Sequence, residues 1–183
     1  MNSMKREKLL ILSGALGDGH MQAAKAIVEA SALYRLGVEV VDFMEWIHPR
    51  MHVIERYCFL QWVKHFPSSY GYMYQKTRTN STLTFFLKHF LATSLQRLLK
   101  LLNEEQPTLI VSTFPLASAA ISLLKEKGMT DLPTATVITD HSDHSYWIHP
   151  STDLYLVGSE GVRAALQRKG VADHKIAVTG IPV

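Results

Sequence analysis

Short apolar runs that alternate with helical patterns constrain the fold of this chain more than any other feature. Residues 8–12 (KLLIL) are almost continuously apolar, which is typical of a strand buried on both faces. The spacing then predicts a helix from Gly19 to Leu36, with Gly37 as its C-terminal stop. A second strand, residues 38–43 (VEVVDF), completes a βαβ unit. The predicted buried face of the helix comprises Ala23, Ala24, Ile27, Ala30 and Leu33 or Tyr34.

The second half of the chain repeats this alternation. Strands are predicted at residues 108–113, 133–139, 154–157 and 175–178, and helices at residues 116–127 and 159–169. A glycine follows each of these two helices, as expected at a helix C-terminus. Because strands and helices alternate, the sequence predicts an α/β fold with a parallel sheet.

Residues 44–103 differ from the rest because they show no strand pattern. Between Trp46 and Asn103 there are eight basic residues and one acid, Glu55, a net charge of +7, whereas the whole chain carries +3. This segment therefore reads as a helical, basic insertion that faces an anionic partner, either nucleic acid or acidic lipid. A helical stripe within it comprises Leu83, Phe86, Leu87, Phe90, Leu91, Leu95, Leu98 and Leu102.

The composition limits the class of protein. A length of 183 residues suits one domain, and the 47% hydrophobic and 19% charged content is that of a globular core. A single cysteine, Cys58, excludes an internal disulfide and a cysteine-based zinc cluster, which fits a reducing cytosol. The first apolar run is too short for a signal peptide, and no stretch approaches the roughly 18 apolar residues of a membrane-spanning helix.

The loop after the first strand, residues 14–19 (GALGDG), resembles two phosphate-binding motifs without matching either. It has the glycine spacing of a P-loop, but His20 and Met21 replace the lysine and the Ser/Thr of that motif. It also begins a dinucleotide fingerprint, but Gln22 stands where the third glycine belongs. What remains is a flexible backbone that leads into a helix N-terminus, which favours anions.

His20 is expected in the first turn of that helix. The helix dipole should disfavour the imidazolium, so that His20 stays neutral and accepts a proton. A tight turn with a solvated histidine is the alternative interpretation.

Residues 139–149 (TDHSDHSYWIH) follow a predicted strand and therefore lie at the carboxyl edge of the sheet, where α/β folds bind ligands. Three interpretations remain open: a polar wall for a hydroxylated substrate with Trp147 as a stacking surface, a solvent-exposed loop, or a metal site. The metal site would use His141, Asp143, His144 and His149. Residues 112–118 (STFPLAS) also follow a strand, and either line the same cleft or simply begin a helix.

Four motifs together resemble one family. They are a glycine loop that ends in Gly-His, a Ser-Thr-Phe-Pro, a Thr-Asp-x-x-x-His-x-x-Trp-x-His segment and a terminal Thr-Gly-Ile-Pro. In this order they are similar to the N-terminal domain of the monogalactosyldiacylglycerol synthases and the bacterial processive diacylglycerol glucosyltransferases, from about Lys8 to Val183.

The resemblance implies a Rossmann-like parallel sheet that forms the N-terminal lobe of a GT-B fold, similar to glycosyltransferase family 28. In that family the N-domain takes diacylglycerol from the membrane surface, and the C-domain holds UDP-glucose or UDP-galactose. Transfer is inverting and needs no metal or other cofactor. The resemblance further implies a bacterial, cytoplasmic protein that is peripheral on the inner face of the cell membrane. A nucleic-acid partner is not expected, because no recognition motif accompanies the basic segment.

The resemblance also implies roles for single residues. His20 is the general base for the acceptor hydroxyl, and Gly17 and Gly19 shape the approach of the acceptor and of the donor phosphate. The full set of expected acceptor-binding residues is Gly17, Asp18, Gly19, Thr113, Phe114, Pro115, Asp140, His144, Trp147 and His149.

The basic insertion, about residues 44–103, is expected to face the membrane. Basic residues near anionic headgroups contribute about 1 kcal/mol each, and aromatic side chains insert into the interface. The residues expected to make this contact are Arg56, Trp62, Lys64, Phe66, Lys76, Arg78 and Lys88. In the alternative interpretation the apolar stripe is buried and the bases are merely solvated.

Residues 1–183 are expected to form one acceptor-binding domain. The sequence stops at Val183, where the family continues into its donor-binding domain, so the chain alone is expected not to transfer sugar. Two other functions remain open: a non-catalytic membrane- or lipid-binding module, and the lobe of a transferase with a polyprenyl-linked acceptor.

Overall fold

The fold is a six-stranded parallel sheet in the order β2-β1-β3-β4-β5-β6. The computed structural model describes residues 7–15, 18–34, 36–47, 49, 57, 61, 65, 95–140 and 145–183. The strands are β1 (Lys8–Ser13), β2 (Gly37–Asp42), β3 (Leu109–Ser112), β4 (Thr134–Val137), β5 (Leu154–Val157) and β6 (Ile176–Val178). The predicted parallel α/β sheet is confirmed.

Helices connect these strands. They are α1 (Asp18–Ala32), α2 (Phe43–Ile47), α3 (residues 95–105), α4 (Pro115–Glu126) and α5 (Glu160–Arg168). Single 3₁₀ turns lie at Ser145–Trp147 and Asp173–Lys175. Ser159 caps α5 with its side chain, and Pro115 opens α4, so both helix starts follow the sequence signals.

The first helix is shorter than its sequence pattern indicates. It ends at Ala32, and the chain leaves it in a turn in which the Tyr34 amide donates to the Ser31 oxygen at 3.0 Å. The turn directs the next side chains to solvent, so Leu33 (82% exposed) and Tyr34 (74% exposed) are not on the buried face. Ala30 is exposed as well, whereas the predicted residues Ala23, Ala24 and Ile27 do pack against the sheet.

The continuous apolar pattern of β1 is explained by helices on both faces of the sheet. Successive strand residues point to opposite faces. Leu10 and Leu12 pack in the cluster that contains α2, α3 and α4, while Leu9 and Ile11 pack in the cluster that contains α1. All four side chains are buried, so this strand has no solvent-facing side.

The C-terminal part of the basic insertion belongs to the core. Leu95, Leu98 and Leu102, three members of the predicted stripe, are buried, which supports the alternative interpretation for this part. Two hydrogen bonds fasten α2 to α3: Trp46 Nε1 donates to the Arg97 oxygen at 3.1 Å, and Arg97 Nη1 donates to the Ile47 oxygen at 2.7 Å. The other members of the stripe lie outside the described residues.

The strand order places a topological switch point between β1 and β3. The chain passes from β1 to β2 on one side of β1, and β3 lies on the other side. Connections therefore diverge at the carboxyl ends of β1 and β3, and such switch points are where open α/β sheets bind ligands. The glycine loop follows β1, and residues 112–118 follow β3.

Candidate active site at the carboxyl ends of β1, β3 and β4

The first glycine of the loop is required by packing. A Cβ on Gly14 would lie 2.8–2.9 Å from three ring atoms of Phe114, which is closer than side chains approach each other. Gly19, in contrast, lies in the first turn of α1 with nothing within 4 Å of a Cβ, and both it and Asp18 are exposed. The loop therefore has one glycine against the core and another at an open surface, as expected where a ligand approaches.

Asp42, a residue that the sequence reasoning missed, holds the loop from the end of β2. Its Oδ2 accepts the Ala15 amide at 3.0 Å, and its Oδ1 accepts the Met44 and Glu45 amides at 2.9 and 3.2 Å. One carboxylate thus caps α2 and fixes the glycine loop. The signal was present, because an acid three residues before a glutamate resembles a capping box.

His20 lies among residues from three strand ends. Its Nδ1 is 2.9 Å from Thr139 Oγ1, which follows β4. The Phe114 ring, after β3, meets the imidazole edge-on at a centroid distance of 5.3 Å, and the Trp147 ring is 6.0 Å away. The predicted convergence of the glycine loop, the Thr-Phe-Pro stretch and the Thr-Asp segment is present around this ring.

Burial lowers the pKa of His20 below its ordinary value of 6.5. A hydrogen bond with the Thr113 backbone and the charge of Asp140 act in the opposite direction but are weaker. The ring is therefore neutral at pH 7, as the sequence predicted. The cause differs, because removal of the ring from water is the largest contribution rather than the helix dipole.

Thr113 and Phe114 are buried residues that contact His20. Thr113 is fully buried, and its Oγ1 donates to the His20 carbonyl oxygen at 3.1 Å and lies 2.9 Å from Ser13 Oγ. Phe114 is only 4% exposed. The expectation that these two side chains line the cleft is wrong, since the strand end buries them, while Pro115 beside them is half-buried at the start of α4.

Trp147 is a core residue. It is 2% exposed and packs in the cluster that contains Ile138 and Tyr155, and its Nε1 donates to Asp140 Oδ2 at 3.1 Å. A stacking surface for substrate is therefore the wrong interpretation of this residue. Its ring instead forms part of the apolar surroundings that exclude water from His20.

His149 fixes the segment that carries Trp147. Its Nε2 donates to the Tyr146 oxygen at 2.8 Å, and the Tyr155 hydroxyl accepts from the His149 amide at 3.0 Å and donates to its carbonyl at 2.9 Å. Burial lowers the pKa of His149, with the Tyr146 and Pro115 backbones and Glu126 opposing the shift. The role that this geometry supports is structural.

Several expected site residues lie outside the described residues. They are Gly17, His144, His141 and Asp143, and the membrane residues Arg56, Trp62, Lys64, Phe66, Lys76, Arg78 and Lys88. Within the part of the chain that is described, no group of three His, Cys, Asp or Glu residues is placed to hold a metal ion. In that same part, no helix is long and apolar enough to cross a membrane.

The geometry is suited to proton transfer. The neutral imidazole of His20 lies within hydrogen-bond distance of the Thr139 hydroxyl at Nδ1 and beside aromatic rings. It is in the first turn of α1, whose exposed start is open to a ligand. Such a ring can accept a proton from an alcohol, and the nearby backbone amides favour a phosphate.

Comparison with known proteins gives a consistent result. A family model described as monogalactosyldiacylglycerol (MGDG) synthase matches residues 20–183. The chain is 34% identical over 182 residues to the processive diacylglycerol beta-glucosyltransferase of Staphylococcus epidermidis, covering 98% of this chain and 45% of that protein. The proteins of the same name from Staphylococcus carnosus and Staphylococcus aureus are 31% and 32% identical, with the same coverage. The chain thus spans a little under half the length of these relatives.

The fold is also found in a solved structure. The apo form of the lipopolysaccharide outer core galactosyltransferase WaaB matches 97% of this chain and 46% of that chain, with a TM-score of 0.55 and 14% sequence identity. At this identity the likeness concerns the fold alone, and it confirms the Rossmann-like architecture.

Proposed function

The chain belongs to the monogalactosyldiacylglycerol synthase family, and on that premise we propose that it is the N-terminal, acceptor-binding lobe of an inverting GT-B glycosyltransferase. The reaction moves a hexose from UDP-glucose or UDP-galactose to diacylglycerol. The bacterial relatives named as diacylglycerol glucosyltransferases support the acceptor class. Since the chain matches 45% of their length, the donor site is assigned to the remainder of such an enzyme.

The observation that carries the proposal is the state of His20. Its pKa is lowered by burial, and its Nδ1 is held 2.9 Å from Thr139 Oγ1, so at neutral pH the ring is an unprotonated base. A general base near an alcohol needs this protonation state and a fixed orientation. A histidine that only filled a turn would require neither.

In the proposed step, the free hydroxyl of diacylglycerol attacks the anomeric carbon of the UDP-sugar from the face opposite UDP. The hydroxyl proton passes to His20, the new C–O bond forms, and the bond to UDP breaks with inversion. UDP leaves with both bonding electrons, and His20 later loses its proton to water. The open backbone around Gly19 is where the reacting groups approach.

The acceptor requires access to a bilayer. The net charge of +7 between Trp46 and Asn103 is suited to an anionic surface, and we assign the membrane contact to that segment. Arg97 donates to a backbone oxygen of α2 and Lys100 pairs with Glu104 at 3.6 Å, so these two bases are engaged within the domain. The contact is therefore assigned to the preceding part of the segment, on the inner face of a bacterial membrane.

Sedimentation with vesicles tests the membrane assignment. Binding to vesicles that contain phosphatidylglycerol should exceed binding to neutral phosphatidylcholine vesicles at low salt, and the difference should vanish at high salt. Equal binding to both at low salt would contradict the electrostatic assignment.

Transfer assays test the activity. The 183-residue chain and the complete product of the gene that encodes it are incubated with labelled UDP-glucose or UDP-galactose and vesicles that contain diacylglycerol. Labelled glycolipid formed by the complete product, and lost in His20→Gln, supports the proposal. The matched control is His174→Gln, since His174 is exposed beside the turn before β6. Vesicle binding without transfer of either sugar would favour the non-catalytic module instead.

A further inference from the structure

Thr139 is a polar residue whose side chain lies within hydrogen-bond distance of a ring nitrogen of His20. It lies two residues beyond β4, and its Oγ1 is 2.9 Å from Nδ1. The preceding amide, that of Ile138, donates to the Leu156 oxygen at 2.9 Å, so the backbone beside Thr139 is fixed by the next strand. A rigid strand end therefore presents this hydroxyl to the imidazole.

A neutral imidazole carries one N–H, and a threonine hydroxyl can either donate or accept. If the hydroxyl donates to Nδ1, the proton of the ring is on Nε2, and neither nitrogen can act as a base. If the hydroxyl accepts from Nδ1–H, Nε2 is free to take a proton. The choice between these two tautomers decides whether His20 can do what is proposed for it.

The proposed function requires the second arrangement, because Thr139 already occupies Nδ1 and a base needs an unprotonated nitrogen that the alcohol can reach. Asp140, the residue after Thr139, acts on the ring with its negative charge, and the backbone of Thr113 also favours the protonated ring. Both effects stabilise the imidazolium, which carries a proton on both nitrogens, so they support His20 as a proton acceptor and act equally on its two neutral tautomers. Asp140 in turn is held by the indole N–H of Trp147.

We infer that Thr139 is a positioning residue whose hydroxyl accepts a hydrogen bond from His20 Nδ1–H and so makes Nε2 the atom that takes the proton of the acceptor alcohol. This inference rests on the proposed function of His20. Thr139 itself changes no bond during the reaction. It fixes which nitrogen is basic, as the orienting partner of a catalytic histidine does in other enzymes.

The test combines a direct reading of the tautomer with kinetics. In the ¹⁵N-labelled 183-residue chain, the chemical shifts of Nδ1 and Nε2 report which nitrogen carries the proton, and a His20→Gln spectrum identifies the signals of this residue among nine histidines. We expect Nδ1–H in the wild type and in Thr139→Ser, and a shift toward Nε2–H in Thr139→Val, which removes the hydroxyl at nearly constant volume.

In the complete gene product, Thr139→Val should lower kcat by about 10- to 100-fold with little change in KM for the UDP-sugar, and Thr139→Ser should restore most of it. Thr130→Val is the matched control, because the Thr130 hydroxyl accepts from the Leu132 amide within its own turn, at 3.4 Å. It should leave both the spectrum of His20 and kcat unchanged.

The outcomes separate this inference from the proposed function. An Nε2–H tautomer in the wild type, or the same tautomer in Thr139→Val as in wild type, overturns the role of Thr139 whatever the activity. A changed tautomer in Thr139→Val with unchanged kcat overturns it too. An Nδ1–H wild type whose complete product transfers no sugar supports the tautomer assignment and refutes the proposed function.

Discussion

Gly14 lies against the face of Phe114 so closely that a methyl group on it would overlap the ring, with 2.8–2.9 Å to three ring carbons. Phe114 in turn meets the imidazole of His20 edge-on at a centroid distance of 5.3 Å. The first glycine of the loop therefore constrains the position of His20 through the Phe114 ring.

Gly14→Ala should displace Phe114 and with it His20. Since Phe114 is 4% exposed, it has no free space to move into, and overpacking of this kind costs about 1–3 kcal/mol. Urea denaturation should show a lower free energy of unfolding, and transfer by the complete gene product should fall.

Gly19→Ala is the matched control for this change. Among the described residues, nothing lies within 4 Å of its added methyl group, and alanine in a helix is more stable than glycine by up to about 1 kcal/mol. Unfolding should therefore require as much urea as in wild type or more, whereas transfer should decrease if a ligand approaches there. A loss of stability in Gly19→Ala but none in Gly14→Ala would contradict the assigned packing.

Asp42→Ala should loosen both the glycine loop and the start of α2. It removes the acceptor of the Ala15 amide and the cap of the Met44 and Glu45 amides, and loss of a helix cap costs about 1 kcal/mol. Thermal unfolding should occur at a lower temperature, and amide exchange at Ala15 should accelerate. Glu39→Ala on the same strand, an exposed position, should change neither.

The fold was largely predictable because the apolar patterns of the central strands β1, β3 and β4 reflect burial on both faces. The continuous apolar run predicted β1, and Ser159 predicted the start of α5. The structure contains both elements. The end of α1 was not predictable from periodicity, because Leu33 fits the helical spacing but lies in the exposed turn that ends the helix.

The site was predictable in its location but not in the role of each side chain. The motifs placed His20 and Thr139 at the same edge of the sheet, since the carboxyl ends of parallel strands share one edge. Sequence alone could not show that Trp147 is buried, because a tryptophan in a polar loop suits a cleft surface as well as a core. That difference depends on the packing of β5 against the Thr-Asp segment.

His149→Gln should reduce the loss of stability in acid. Burial lowers the pKa of His149 in the folded state, whereas in the unfolded chain it is near 6.5, so below that pH the unfolded chain binds more protons. The stabilisation from neutral His149 is complete above pH 6.5 and is lost as the pH falls toward the lowered pKa. Glutamine stays neutral and can still donate to the Tyr146 oxygen.

The measurement is the unfolding temperature of both proteins between pH 8 and pH 5. The wild type should lose more stability over this interval than His149→Gln does. His174→Gln, a substitution of an exposed histidine, should follow the wild type. Parallel curves for wild type and His149→Gln would contradict the assignment.

The pH dependence of transfer should report the pKa of His20. A base must be unprotonated, so kcat/KM should be constant above the pKa of His20 and fall below it. Because burial lowers this pKa, the fall of kcat/KM, which is the acidic limb of the pH profile, should lie below pH 6.5. Asp140→Asn removes the charge that favours the imidazolium, so the limb should move to lower pH, while asparagine still accepts from Trp147.

Phe114→Ala admits water to the His20 ring, which reduces the cost of its charge, so the limb should move to higher pH. Two shifts in the same direction, or a limb that persists in His20→Gln, would assign proton transfer to another group.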